Sequence, residues 1–142
     1  MACVSYDTSA KTLLYKQNKS DNCTVTSAGM AMKVPQATLI NDFPASKADW
    51  DGMKNKYGFS LTSDESTTLS KIIAILKTGW PVVTQINNSS EPHWVLITKF
   101  AGDDLYPQAA NFICSDPATG TSVTLNKAAR WANVYQTHVY KK

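Results

Sequence analysis

The feature that most constrains this chain is a change of periodicity near residue 80. Before it, apolar residues recur at helical spacing. Leu69, Ile72, Ile73 and Leu76 form a stripe three and four residues apart, with Ser66 or Thr67 placed to cap it and Gly79 just past its end. After it, short runs rich in β-branched and aromatic residues alternate with turn residues: 81–87, 93–100, 111–115, 122–125 and 134–140. Helices first and strands second, joined by hairpin-length links, predict an α+β fold with an antiparallel sheet. A chain of 142 residues with 43% hydrophobic and 18% charged residues suits one globular domain spanning 1–142, with a core that needs no staple.

The first half divides further. Residues 2–16 read as a strand or an irregular arm. A helix is expected over 22–34, ended by Pro35, with Val25, Ala28, Ala31 and Met32 on one face. Two short helices follow at 35–42 and 46–57. Pro44 separates them, Ser46 can cap the second and Gly58 stops it. Asn126 can cap a helical turn ending near Trp131.

Cys23 is the most informative residue for chemistry. It follows Asp21 and Asn22, both good capping residues, and precedes a run of small residues and Met. A sulfur near a helix N-terminus meets partial positive charge, which favours thiolate over thiol. Gln17 lies upstream, where its amide can reach over an oxyanion. Downstream come His93 and Asp116, the latter in an Asp-Pro turn. Gln, Cys, His and Asp in that order are the inventory for acyl transfer by a thiolate. If the strands at 93–100 and 111–115 pair through 101–104, the start of one lies beside the end of the other, and His93 meets Asp116.

Blander readings compete. A lone Cys near a helix start is often a small buried hydrophobe. Asp-Pro-x-x-Gly is often only a turn. His138 is the other histidine, in a Tyr-rich strand near the C-terminus. Cys114, mid-strand among apolar residues, reads as inert core. Trp94 should face the opposite side of the sheet from His93, where core packing is its first reading and a cleft wall the second.

Composition narrows the partners. Net charge is only +3, and of fourteen basic residues only Arg130 is Arg, so nucleic-acid readout is not expected. Two histidines and no paired-Cys motif give no zinc site. Three irregularly spaced cysteines are not a disulfide framework. No apolar run approaches the roughly 20 residues that span a bilayer. The first seven residues lack the basic start and apolar core of a signal peptide, so export by the standard route is not expected.

Four segments carry a resemblance. YKQNKSDNCTVTSAGMAM, LSKIIAILKTGWPVVTQIN, PHWVLITKF and FICSDPATGTSVTLN stand in one order over about residues 13–126. They resemble the motifs of papain-like cysteine peptidases, closest to the branch of bacteriocin-processing, double-glycine-leader peptidases. The resemblance implies a papain-like fold, with a helical half carrying the nucleophile at a helix N-terminus and packed on a C-terminal sheet. It implies Cys23 as nucleophile, His93 as general base and then acid, Asp116 as the residue orienting His93, and Gln17 with the Cys23 backbone N–H as oxyanion donors. Thr24 stands where the family has Gly, and Asn22 where Asp is common. The expected substrate is a peptide, a protein or peptidoglycan stem peptides, with no cofactor or metal. A peptide-binding relic without activity is the remaining reading. The expected state is a monomer, with room for an inhibitor or immunity protein as partner.

Overall fold

The computed structural model describes residues 3–9, 13–19, 22–88, 91–129 and 133–142. The chain order is β1 (Cys3–Asp7), α1 (Cys23–Ala31), α2 (Gln36–Asp42), α3 (Trp50–Tyr57), β2 (Ser60–Asp64), α4 (Leu69–Leu76), β3 (Val82–Asn88) and β4 (Glu91–Asp103). There follow a 3₁₀ turn (Ala109–Asn111), β5 (Phe112–Asp116), β6 (Thr121–Thr124), α5 (Leu125–Ala128) and β7 (Val134–Lys141). The strands form one antiparallel sheet in the order β2-β7-β3-β4-β5-β6, with β1 paired to β4. The α+β class expected from the sequence is the one observed. Among the described residues no helix is long and apolar enough to cross a membrane.

β4 is the spine. Its first part pairs with β3, Val82 opposite Ile97 and Ile86 opposite His93. Its last part pairs with β1, Tyr6 opposite Phe100. The strand therefore starts before His93 and runs through Ala101 and Gly102, where a loop was expected. The link to β5 instead begins at Asp104 and contains the 3₁₀ turn.

The pleat separates two cores. Val82, Ile86, Val95 and Ile97 pack with Ile72, Ile73 and Leu76 of α4 and with Leu125 and Ala128 of α5. Val83, Trp94, Leu96 and Tyr140 pack with Val25, Ala28 and Met30 of α1, Leu39 of α2 and Met53 of α3. α1 thus lies on one side of the sheet and α4 on the other. Every residue of α1 from Val25 to Ala31 is buried, so the helix is enclosed all round, not along one face as its spacing suggested. Its small residues permit this. A Cβ at Gly29 would sit 2.2 Å from Leu39 Cδ2, so α2 crosses α1 where α1 has no side chain.

Three caps differ from expectation. The Asp49 side chain, not that of Ser46, accepts from Gly52 N–H and starts α3 at Trp50. Thr68 caps α4 by accepting from Lys71 N–H, while the Thr67 hydroxyl bonds Thr137. α5 begins at Leu125, with Thr124 at its N-cap position and Asn126 inside the helix; Trp131, its expected end, lies outside the described residues. Gly58 ends α3 in the left-handed region (φ 76°) as its position predicts. α1 ends differently. Lys33 takes φ 56° without being glycine, and Val34 N–H reaches back to Gly29 O at 3.0 Å.

Candidate active site

Cys23 is the first residue of α1 and is half-buried. Asn22 occupies the N-cap position, but its side chain makes no capping bond. It turns back on its own loop, accepting from Lys19 N–H and donating to Asn18 Oδ1. Asp21, the other expected cap, lies outside the described residues. No side-chain oxygen of Asn22 is therefore spent on the first-turn N–H groups beside Cys23, and no acidic residue sits in that turn.

His93 and Asp116 come together through strand register. β4 and β5 are antiparallel with Leu96 opposite Ser115, which makes His93 the diagonal neighbour of Asp116 on one face. His93 Nε2–H donates to Asp116 Oδ1 at 2.7 Å. Both side chains are buried. The carboxylate is held in turn: Ala118 N–H donates to Oδ1 at 3.0 Å, and Gly120 N–H closes the turn on Asp116 O.

The electrostatics of His93 follow from its neighbours. Burial disfavours the charged ring. The hydrogen bond that His93 donates to Asp116 and that with Cys23, with the charges of both, outweigh it and bring His93 up to about 9. The imidazole is then protonated at neutral pH. Nε2 is committed to Asp116, which leaves Nδ1 for the Cys23 side.

Gln17 is attached to the same turn. Its backbone N–H donates to Pro117 O at 2.8 Å, and a Cβ on Gly120 would lie 2.9 Å from Lys16 Cβ. The segment 13–19 also runs along α1, Tyr15 OH donating to Val34 O. The Gln17 side chain donates from Nε2 to Lys19 O at 2.8 Å, and its Oε1 is buried with no partner among the described residues. One Nε2 hydrogen is thus engaged within the loop and a second remains.

The other candidates separate. Cys114 is fully buried, and desolvation, with the charge of Asp116 adding, pushes its thiol far up. Cys3 is exposed on β1. His138 is buried on the opposite face, stacked on Trp50 at 3.9 Å and 22° and near Trp94 at 5.6 Å. Its Nδ1 shares a hydrogen bond with Ser63 Oγ at 2.6 Å. Desolvation brings it down to about 4, so it is neutral at ordinary pH. Trp94 is both core and cavity wall, the two readings its position allowed. The described residues contain no cluster of His, Cys, Asp and Glu able to hold a metal ion.

Beside Cys23 lies a cavity of about 320 Å³. Thr24 and Cys23 form one side, Pro92 and Trp94 another, and Lys47, Ala48 and Trp50 the third. Sequence reasoning missed this last wall. Thr24 Oγ1 accepts from Ala48 N–H at 3.0 Å and pins the loop before α3 against α1. Thr24, which stands where the family has Gly, thus builds the edge of the cavity.

A search of the curated proteins finds no match to this chain. The profile of the Peptidase_C39 like family matches residues 10–142, which include Gln17, Cys23, His93 and Asp116. The chain belongs to the Peptidase_C39 like family, and with it to a function of the cysteine-peptidase kind.

Proposed function

We propose that the protein is a cysteine hydrolase that cleaves amide bonds through an acyl-enzyme on Cys23. The observation that carries this is the buried His93, bonded through Nε2 to Asp116 at 2.7 Å and acting with Cys23 on its other side. A protonated imidazole beside a cysteine is the counter-ion of a thiolate, the nucleophilic form. Attack by Cys23 Sγ on the substrate carbonyl would form a C–S bond and place the negative charge on the carbonyl oxygen. The Cys23 backbone N–H and the second Nε2 hydrogen of Gln17 are the donors for that charge. His93 Nδ1–H would then pass its proton to the leaving amine as the C–N bond breaks. Neutral His93 would next take a proton from water, whose oxygen releases the acyl group and returns Cys23. Asp116 keeps the ring oriented throughout and stabilises its charged form. The protein acts as a small peptidase or effector on peptides or proteins, and stem peptides of peptidoglycan are the competing substrate.

The test is incubation with a proteome-derived peptide library and, separately, with purified peptidoglycan, read by mass spectrometry. New peptide termini with the wild type, and none with Cys23→Ala, are expected. Stem-peptide fragments alone would move the substrate to the cell wall. No product from either would leave a binding protein.

A further inference from the structure

A second cavity lies at the other end of α1. Cys23 opens that helix and Ala31 closes it, so about 12 Å of helical rise separates the two sites. The cavity measures about 280 Å³, just under the usual range for drug-sized molecules (about 300–1,000 Å³), and it shares no lining residue with the cavity beside Cys23. Its walls are apolar and fixed. Trp80 packs against the core under α4, and Phe59 against the core under α1. Phe59 also stands edge-on to the buried Tyr140, with ring centroids 6.4 Å apart at 86°. Gly79, at φ 94°, turns the chain into Trp80, and its N–H bonds Leu76 O at 2.9 Å. The rim is cationic. Lys33 Nζ donates to Ser9 Oγ, and Lys142 Nζ lies 5.0 Å from the centre of the Phe59 ring. Both lysines are exposed, neither has a carboxylate partner among the described residues, and no Asp or Glu lines the cavity. The last carbonyls of α1 do not oppose an anion strongly, because they are already bonded: Ala28 O by Met32 N–H, Met30 O by Lys33 N–H and Gly29 O by Val34 N–H.

We propose that this cavity binds a small amphipathic anion: an apolar body, aromatic or branched aliphatic, carrying one carboxylate. The body displaces water from Trp80, Phe59 and Met32, and the carboxylate meets the two ammonium groups at the mouth in charge-assisted hydrogen bonds. A neutral molecule of the same shape gains only the apolar contact, and a cation faces two like charges. No Arg lines the cavity to grip a phosphate in two places, so a carboxylate is the better match. The occupant touches the end of α1, the turn from α4 into β3 and the residue after β7 at once. It therefore ties α1 to the sheet, and its binding adds to the stability of the fold. The site does not depend on Cys23 or on the reaction assigned to it.

The probes are phenylbutyrate, phenylbutanol, phenylbutylamine and acetate, titrated into the protein while the indole N–H signals are followed by NMR. Trp80→Phe assigns the signal of this cavity, and Trp50 and Trp94 report the cavity beside Cys23. Phenylbutyrate should shift Trp80 saturably, leave Trp50 and Trp94 in place and raise Tm. It should bind about 3- to 10-fold tighter than phenylbutanol, with phenylbutylamine weakest of the three. Acetate, without the apolar body, should bind at least about 10-fold more weakly than phenylbutyrate. Replacing both exposed lysines, Lys33→Gln with Lys142→Gln, should bring the acid down to the affinity of the alcohol and leave the alcohol unchanged; high salt should act on the acid in the same way. Cys23→Ala should alter none of these results, so the site stands or falls apart from the hydrolase. Equal binding of acid, alcohol and amine overturns the anion site. A shift confined to Trp50 and Trp94, or no saturable shift, overturns the cavity as a site. Acid binding that survives the double lysine variant overturns the role of the rim.

Discussion

Asp116→Asn isolates one charge. The amide has the shape of the carboxylate, and its Oδ1 can still accept from Ala118 N–H and from His93 Nε2–H, so the turn and the ring orientation are retained. What disappears is the negative charge. The distance of His93's value, about 9, from the ordinary 6.5 corresponds to roughly 3 kcal/mol in favour of the imidazolium. That figure is net of burial, which acts in the other direction, so the partners supply more than it. Without the charge of Asp116, burial is opposed mainly by Cys23, and the ring should titrate lower than in the wild type. The chain has two histidines, so the imidazole C–H region of an NMR titration holds two sets of signals. His138 is the internal reference, since it titrates only toward about 4. In the wild type the second set should move near pH 9, and in Asp116→Asn at clearly lower pH. The stability consequence has a definite sign. The folded value is the higher one, so the contribution of the charged ring is complete below about pH 6.5 and is lost as pH rises through about 9. Denaturant midpoints of the wild type should fall across that window, and those of Asp116→Asn should be flatter. A His93 that still titrates near 9 in the variant would refute the reasoning, because Asp116 would then not be what holds the proton.

Three further outcomes are expected. Iodoacetamide at pH 6 should modify Cys23 ahead of exposed Cys3, and Cys114 should stay unmodified until the protein unfolds; peptide mapping of the labelled protein decides, and early loss of Cys114 would contradict its burial. Gln17→Ala should lower kcat by about 100- to 1000-fold with KM little changed, as expected for a donor that acts on the transition state; a change confined to KM would make Gln17 a ground-state contact. Lys33→Gly should stabilise by up to about 1 kcal/mol, because glycine adopts φ 56° without steric cost and loses part of that gain to a freer unfolded chain; an unchanged or lower Tm would show that the Lys33 side chain contributes more than its backbone costs.

Much of the frame was legible because local chemistry sets it. Pro35, Gly58 and Gly79 mark helix ends wherever the chain goes, and β-branched runs mark the central strands. His93 and Asp116 could be paired on paper because antiparallel neighbours fix which ends meet. β2 was not legible. Ser60–Asp64 has one large apolar side chain, Leu61, and is an edge strand whose pairing with β7 comes from the partner. The wall of the cavity was hidden for a similar reason. Lys47, Ala48 and Trp50 belong to a loop and a helix start with no period to read, and a bond from Thr24, some twenty residues earlier, brings them to Cys23. The capping residues were misassigned because Ser46, Asp49, Thr67 and Thr68 are all competent, and packing chooses among them. The side-chain orientation of Gln17 depends on a bond within its own loop, which spacing does not predict.

The two cores on opposite faces of the sheet have a consequence for how this protein would fail. Cys23 is carried by α1, which belongs to one core, while His93 and Asp116 share their strand face with the other. Neither layer holds the whole reacting set. A stress that loosens α1 from the sheet, while the strands stay paired, would part sulfur from imidazole by more than a hydrogen bond's reach. Inactivation would then precede loss of secondary structure on heating or in mild denaturant. The chemistry would serve as a gauge of layer docking, and a ligand that presses α1 onto the sheet would rescue activity without touching either reacting side chain.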